Sequence, residues 1–148
     1  MQQPIVKLSS ADICQQDGNR VLENINLTIG EGEFTYLIGK TGSGKTSLLK
    51  TLYGALTLGS GFGEVAGFDL RSITRQNIHL LRRKLGIVFQ DFNLLTDRNV
   101  EENLRFVLRA TGWTDEAEMS SRVIEVLEGT NLMAKRYAMP FELSGGEQ

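Results

Sequence analysis

The sequence predicts an α/β fold, because its apolar residues first follow the period of strands and later the period of helices. Within residues 5–38, Ile25, Leu27 and Ile29 alternate with polar neighbours, as in an antiparallel sheet with one buried face. After Gln90 the apolar residues recur three or four positions apart, which is typical of amphipathic helices. A glycine-rich loop lies between the two patterns. We therefore expect a β lobe, an α/β core around the loop, and a helical subdomain.

The glycine-rich loop, residues 39–46, reads G-K-T-G-S-G-K-T and fits the phosphate-binding pattern G-x-x-x-x-G-K-[ST]. Glycines let successive backbone N–H groups face a phosphate without an obstructing Cβ atom. We expect Lys45 to reach the β- and γ-phosphates and the Thr46 hydroxyl to ligate Mg²⁺. The predicted phosphate-binding residues are Gly39, Lys40, Thr41, Gly42, Ser43, Gly44, Lys45, Thr46 and Ser47.

The segments on either side of the loop have the composition that this chemistry requires. Residues 34–38 form a β-branched and aromatic run, which predicts a buried strand. Leu48, Leu49 and Leu52 predict a helix that begins after Gly44, with the positive end of its dipole toward the loop. The expected order is thus strand, loop and helix.

Two further motifs restrict the class of nucleotide-binding protein. Residues 85–89 read as a buried strand that ends at Gln90, whose amide can bind water, phosphate or Mg²⁺ and so sense a γ-phosphate. Residues 143–148 read L-S-G-G-E-Q, in which Ser144 and Glu147 have the spacing of a capping box. The alternatives are a polar residue that merely ends a strand, and an ordinary capped helix.

Composition excludes several classes of protein. Sixteen basic and eighteen acidic residues give a net charge of −2, without the basic stripe that a nucleic acid requires. The single cysteine, Cys14, excludes an internal disulfide, and the single histidine, His79, excludes a histidine metal cluster. Basic residues around Ile78 and Leu81 are expected to form a solvated helix face. These are Arg71, Arg75, Arg82, Arg83 and Lys84.

The chain contains no segment with the character of a membrane anchor or a secretion signal. Its first ten residues lack a basic region and an apolar core, and no apolar run approaches the roughly eighteen residues of a membrane span. We therefore expect a cytosolic chain.

Turns and helix ends are predicted from glycine, proline and capping residues. We expect a turn at residues 30–32, a flexible loop at 59–63, a short strand at 64–66 and a turn at Gly67. In the helical part, Val100, Leu104 and Val107 share one face, and Met119, Val123 and Val126 share another. We expect Thr114 to cap the second of these helices and Pro140 to end the last short one.

Taken together, the loop, Gln90 and the L-S-G-G-E-Q string resemble the ATP-binding cassette (ABC) family, in which they correspond to the Walker A motif, the Q-loop and the signature motif. The resemblance implies ATP and Mg²⁺ as cofactors, held between the loop of one copy and the signature of another in a homodimer. It also implies Thr46 and Gln90 as metal ligands. Nucleotide contacts beyond the loop fall on Gln90, Ser144, Gly145 and Gly146.

The resemblance also implies a domain plan. Residues 1–148 would be a partial ABC ATP-binding domain, with the β lobe and P-loop core in 1–90 and the helical subdomain in 91–142. Residues 143–148 would begin the signature helix. The family's Walker B strand and its catalytic Glu would follow Gln148, so no catalytic residue is assigned, and we expect no hydrolysis by this chain alone.

Within the ABC family, residues 89–112 resemble the FtsE family of bacterial cell-division ATPases. The string Q-D-F-N-L-L-T-D-R-N-V, from Gln90 to Val100, matches that family's marker. This implies a homodimeric ATPase that couples ATP binding and hydrolysis to an FtsX-like membrane partner, on the cytoplasmic face of the inner membrane. The alternatives are the ATPase of a lipoprotein-release or macrolide-export ABC transporter, a non-hydrolysing nucleotide-binding module, and a P-loop kinase or GTPase outside the family.

Two features of the sequence concern the membrane partner and the recognition of the nucleotide base. Phe92, Leu94 and Leu95 lie where the ABC family receives a helix of its membrane subunit, although packing between lobes is an alternative reading. The family usually places an aromatic residue upstream of the loop to stack on adenine, whereas this chain has Cys14 or Gln15 there. We therefore expect weaker affinity for the base and laxer base choice.

Overall fold

A computed structural model describes residues 4–148 of the chain, which divide into two compact units, the first ending at Gly86 and the second spanning Ile87–Gln148. The N-terminal segment in which we expected no secretion signal lies partly outside the described residues, because residues 1–3 are not among them. Each unit has its own elements and is described separately below.

The first unit contains the predicted antiparallel β lobe. Its strands are β1 (Val6–Cys14), β2 (Arg20–Ile29), β3 (Leu58–Val65) and β4 (Phe68–Asp69), in the spatial order β2-β1-β3-β4. Strand β1 lies inside the sheet, and its Leu8, Ala11 and Ile13 side chains are fully buried in a core cluster that also contains Leu48 and Leu81. The apolar face of β2 is half-buried, as the alternation predicted, and the turn follows at residues 31–32.

Two helices complete this unit. Helix α1 (Lys45–Leu52) buries Leu48 against the sheet, and α2 (Ile78–Arg82) buries Leu81 in the same core. The basic residues around α2 are exposed, as is His79, which confirms the solvated face. A 3₁₀ turn, Leu70–Ser72, follows β4.

The prediction of a flexible loop at residues 59–63 was wrong, because these residues belong to β3. Gly61 has a φ of +78°, and a Cβ atom there would lie 2.1 Å from the carbonyl oxygen of Ser10 in β1. At Gly63 a Cβ atom would lie 3.0 Å from Leu8. The glycines therefore permit close strand approach, which local composition cannot distinguish from a loop.

Two predicted strands, residues 34–38 and 85–89, are also not formed. Their side chains are largely exposed: Phe34 is 82%, Ile38 86% and Val88 96% accessible. A strand of a parallel sheet requires hydrogen-bonded neighbours on its flanks, and no strand among residues 4–148 pairs with either segment. The residue pattern shows strand propensity but not whether a partner is available.

The second unit is helical, as predicted. Helix α3 (Val100–Ala110) begins with a capping box formed by Asn99 and Glu102, and α4 (Glu116–Gly129) follows it. Two 3₁₀ turns, Met133–Lys135 and Pro140–Glu142, lead toward the end of the chain.

Three details of the helical unit differ from expectation. Asp115, not Thr114, caps α4, because its carboxylate accepts hydrogen bonds from the N–H groups of the first turn. Pro140 begins a 3₁₀ turn and does not end a helix, since its fixed φ suits a first helical position. The buried face of α4 is formed by Met119, Val123 and Leu127, whereas Val126 is half-buried.

A buried carboxylate joins elements of this unit. Glu101 of α3 accepts hydrogen bonds from Arg136 Nε at 2.7 Å and Nη2 at 3.0 Å, and from Arg105 Nε at 2.9 Å. Arg105 also donates to Glu116 and to Ser120 of α4. The guanidinium of Arg136, followed by that of Arg105, lowers the pKa of Glu101 to about 2, against the raising effect of burial.

Candidate nucleotide-binding site

The phosphate-binding loop predicted at residues 39–46 enters helix α1 through a left-handed glycine. Gly44 has a φ of +87°, and a Cβ atom at this position would lie 2.8 Å from Leu22 Cγ of β2. Both the backbone angle and the contact with β2 therefore require glycine here. Gly42 also has a positive φ, of +81°, with open space where a Cβ atom would stand. The loop and helix of the predicted arrangement are confirmed, whereas the strand before them is not formed.

Lys45 bridges the two ends of the loop. Its Nζ atom donates to the carbonyl oxygens of Gly39 at 2.7 Å and Lys40 at 2.8 Å. A turn hydrogen bond from the Ser43 N–H to the Lys40 carbonyl adds to this closure. Because an ammonium group carries three N–H donors, two are used within the loop and one remains to meet an anion.

The first turn of α1 supplies backbone donors. The earliest N–H group of this helix with an acceptor four residues back is that of Leu48, which donates to the Gly44 carbonyl at 2.9 Å. The N–H groups of Lys45, Thr46 and Ser47 precede it and so lack an intrahelical acceptor. Together with the helix dipole they create a positive site that suits phosphate oxygens.

These groups meet at one small cavity of about 170 Å³. The lining residues from the loop and helix are Gly42, Ser43, Gly44, Lys45, Thr46 and Ser47, joined by Gln15 and Val21. Of the other predicted loop residues, Gly39 and Lys40 take part through their carbonyls, and Thr41 is exposed in the turn. Sequence reasoning did not identify Val21, since an apolar strand residue carries no functional signal.

A triphosphate with Mg²⁺ fits the chemistry of this donor set. The backbone donors and the Lys45 ammonium match phosphate oxygens, and the Thr46 hydroxyl, on an exposed residue, can donate one oxygen ligand to a metal. In the described part of the chain, no group of three His, Cys, Asp or Glu residues could hold a metal ion by itself. Besides Thr46 and the predicted ligand Gln90, a Mg²⁺ ion would take its ligands from phosphate and water.

Gln90 belongs to the second unit. It is exposed in a turn, and the following Phe92 and Asn93 both have left-handed backbone conformations, with φ of +56° and +54°. The Phe92 N–H donates to the Phe89 carbonyl at 3.2 Å. The sensor role of Gln90 stays a prediction.

The capping box predicted at the signature string is half formed. The Ser144 N–H donates to Glu147 Oε2 at 2.7 Å, but the Ser144 hydroxyl donates to the same oxygen at 2.8 Å instead of accepting from the Glu147 N–H. These bonds, the Ser144 N–H first, lower the pKa of Glu147, and Lys135 at 3.8 Å adds to the effect. Residues 145–147 form a turn and not a helix, in which Gly145 and Gly146 leave the backbone accessible.

An apolar cavity of about 460 Å³ lies within the second unit. Phe92, Leu94 and Leu95, the three residues expected at a partner surface, all line it, together with Leu104 and Val107 of α3. Phe92 and Val107 are exposed at its rim. In the described residues 4–148, no helix is both long and apolar enough to cross a membrane.

Comparison with known proteins agrees with the geometry of the loop. The family model described as ABC transporter matches residues 22–148. The cell division ATP-binding protein FtsE of Mycobacterium tuberculosis is 41% identical over 127 residues, covering 86% of this chain and 55% of that protein. The methionine import ATP-binding protein MetN of Clostridium acetobutylicum is 37% identical, covering 88% and 41%.

A solved structure shares the fold. The dimeric, post-hydrolysis ATP-binding cassette MJ0796, bound to ADP and Pi, superposes with a TM-score of 0.84 at 30% identity, covering 96% of this chain and 64% of that one. The chain spans a little over half the length of the FtsE relatives that it matches. With the family model covering most of its length and its fold matching a solved cassette, the chain belongs to the ABC transporter family.

Proposed function

We propose that the chain binds Mg-ATP through residues 39–47 as the nucleotide-binding part of an ABC-type complex. The observation that carries this proposal is the meeting of the Lys45 ammonium and the first N–H groups of α1 at one cavity, beside Gly42 and Gly44. Lys45 contacts the β- and γ-phosphates, and Thr46 contributes an oxygen to Mg²⁺. When bound, the metal neutralises charge that develops on the phosphate oxygens.

The remaining site residues act through the whole protein. Gln90 senses the γ-phosphate and ligates Mg²⁺, and Ser144, Gly145 and Gly146 contact the nucleotide held by a second copy. The dimeric state of the solved MJ0796 cassette, with its bound ADP and Pi, supports this arrangement. We propose hydrolysis only for the whole protein, because the chain covers little more than half of its relatives.

For the biological role we propose an FtsE-like function in cell division, through an FtsX-like membrane protein at the cytoplasmic face of the inner membrane. The FtsE relatives at 37–41% identity support this. The MetN relatives, at up to 38%, support an import ATPase as the second candidate. Pull-down of the chain with an FtsX-like membrane protein and with the membrane subunit of an import transporter distinguishes the two candidate roles. The chain should retain only the partner of its own type.

Phosphate recognition is tested by comparing Mg-ATP with AMP in calorimetric titrations of this chain. If the loop holds the β- and γ-phosphates, Mg-ATP binds at least about tenfold more tightly than AMP, because AMP cannot reach Lys45 and the α1 donors together. Equal affinities for the two nucleotides would contradict phosphate recognition by the loop.

The apolar cavity of the second unit is proposed to receive the membrane partner. Phe92→Asp is expected to weaken binding of that partner about tenfold while leaving Mg-ATP affinity unchanged, because Phe92 is 40% exposed at the cavity rim. Phe141→Asp is the matched control, since Phe141 is 77% exposed and does not line the cavity. Co-purification with the partner measures the first effect, and equal loss of partner and nucleotide binding would oppose this proposal.

A further inference from the structure

The side chain of Asn103, near the start of α3, is bonded to the backbone of the segment that precedes this helix. Its Oδ1 atom accepts from the Leu95 N–H at 2.8 Å, and its Nδ2 atom donates to the Leu95 carbonyl at 3.0 Å. The same Nδ2 atom donates to the carbonyls of Arg98 at 3.1 Å and Asn99 at 3.0 Å. One amide thus binds both ends of the segment 95–99.

The segment 95–99 contains no helix or strand of its own, so its shape depends on individual contacts. A turn hydrogen bond from the Arg98 N–H to the Leu95 carbonyl is long, at 3.4 Å. The Arg98 guanidinium also lies 5.0 Å from the ring centre of Phe106 in α3, in a cation–π contact. Asn103 therefore makes the shorter hydrogen bonds to Leu95, and it makes them from a helix.

The segment that Asn103 holds belongs to the apolar cavity of the second unit. Leu94, Leu95 and Asn103 itself line this cavity, and all three are half-buried. Both polar atoms of the Asn103 amide are already bonded to backbone groups, so the amide acts on the shape of the cavity wall. A surface that is ordered before binding loses less conformational entropy when a partner binds.

We infer that Asn103 is a positioning residue for the membrane partner. Its amide fixes the backbone at Leu95 and so keeps the apolar wall of the cavity in the arrangement that the partner binds. The inference rests on the proposed function, because this role requires that the cavity receives the partner. Since Asn103 belongs to the second unit and the phosphate-binding loop to the first, we expect its loss to leave Mg-ATP affinity unchanged.

Limited trypsin digestion with mass spectrometry tests whether Asn103 orders the segment. Asn103→Ala removes the four hydrogen bonds of the amide, and the freed backbone groups can meet water at the surface. Cleavage after Arg98 should therefore become about fivefold faster or more, because proteolysis follows local opening. Asn103→Asp has nearly the same size but its carboxylate cannot donate to the carbonyls, so it should act in the same direction.

Val123→Ala is the matched control for a general loss of stability. Val123 is buried in α4 and does not line the cavity, so its truncation destabilises the same unit without touching the segment 95–99. We expect no selective rise in cleavage after Arg98 in this variant. Fluorescence of Trp113 verifies that each variant is folded under the conditions of the assay.

Partner affinity is measured with the purified membrane subunit that the chain retains in pull-down, FtsX-like or of the import type, in detergent. Both Asn103 variants should bind this subunit about tenfold more weakly than the unaltered chain, with the same Mg-ATP affinity. Val123→Ala should retain both affinities. A role in stability alone would not separate the Asn103 variants from Val123→Ala.

The outcomes separate the positioning role from the partner surface. Unchanged cleavage after Arg98 in both Asn103 variants, or an equal loss of partner affinity in Val123→Ala, would overturn the positioning role. Full partner affinity in both Asn103 variants, beside a loss in Phe92→Asp, would also overturn it and leave the partner surface intact. If the unaltered chain binds neither membrane subunit, the proposed surface and the inference both fail.

Discussion

Lys45→Ala is expected to weaken Mg-ATP binding by about 1.5–3 kcal/mol, which is roughly a 10- to 150-fold rise in Kd. The substitution removes the charged donor that we propose contacts phosphate. It also removes the two hydrogen bonds that join Nζ to the Gly39 and Lys40 carbonyls, so the loop loses its internal tie. Calorimetric titration with Mg-ATP measures the change.

The matched control for this experiment is Lys84→Ala. Lys84 is exposed and does not line the loop cavity, so its loss removes one positive charge from the same unit without touching the site. AMP affinity should change much less than ATP affinity in the Lys45 variant. Indistinguishable ATP titrations of the Lys45 variant and the unaltered chain would refute a phosphate-binding role for the loop.

Glu101→Gln is expected to destabilise the second unit by about 2–3 kcal/mol at neutral pH. The carboxylate has a pKa of about 2 in the folded protein, below the ordinary value of 4.5, because Arg136 and Arg105 donate to it. Its contribution to stability is therefore complete above about pH 4.5 and is lost as the pH falls from there toward 2. An amide would accept fewer charge-assisted hydrogen bonds and would leave the half-buried Arg136 guanidinium without its carboxylate partner, whereas Arg105 would keep its ion pair with Glu116.

Fluorescence of Trp113, the single tryptophan of the sequence, reports on this unit. Urea unfolding at several pH values between 7 and 2.5 should show a shallower pH dependence for Glu101→Gln than for the unaltered chain. Glu125→Gln is the control, because Glu125 pairs with Arg122 on the exposed side of α4. If both variants follow the same pH profile as the unaltered chain, the ion pairs of Glu101 with Arg136 and Arg105 do not stabilise the unit.

Sequence patterns predict structural features that depend on neighbouring residues, and they miss features that depend on residues far away along the chain. Local patterns predicted the alternating face of β2 and the helix that follows Gly44, since both depend on neighbouring residues. They failed at Gly61, whose role depends on the carbonyl of Ser10, about fifty positions away along the chain. They failed again at residues 34–38, because strand formation there requires a partner that no local pattern reveals.

The candidate site shows the same difference between features set by local sequence and features set by distant contacts. The candidate phosphate-binding residues come from one contiguous motif, and the structure brings Gly42 to Ser47 to one cavity. Gln15, which also lines this cavity, was predicted only as a position lacking an aromatic ring. Its approach to the loop depends on the pairing of β1 with β2, which local composition does not reveal.

The bonds from Lys45 to the Gly39 and Lys40 carbonyls have a consequence for how an anion is captured. They hold the loop in its curved shape before an anion binds, so binding does not require the entropic cost of ordering a flexible segment. The lysine acts both as preorganiser and as recognition element, and a ligand meets a receptor whose conformational freedom has already been restricted.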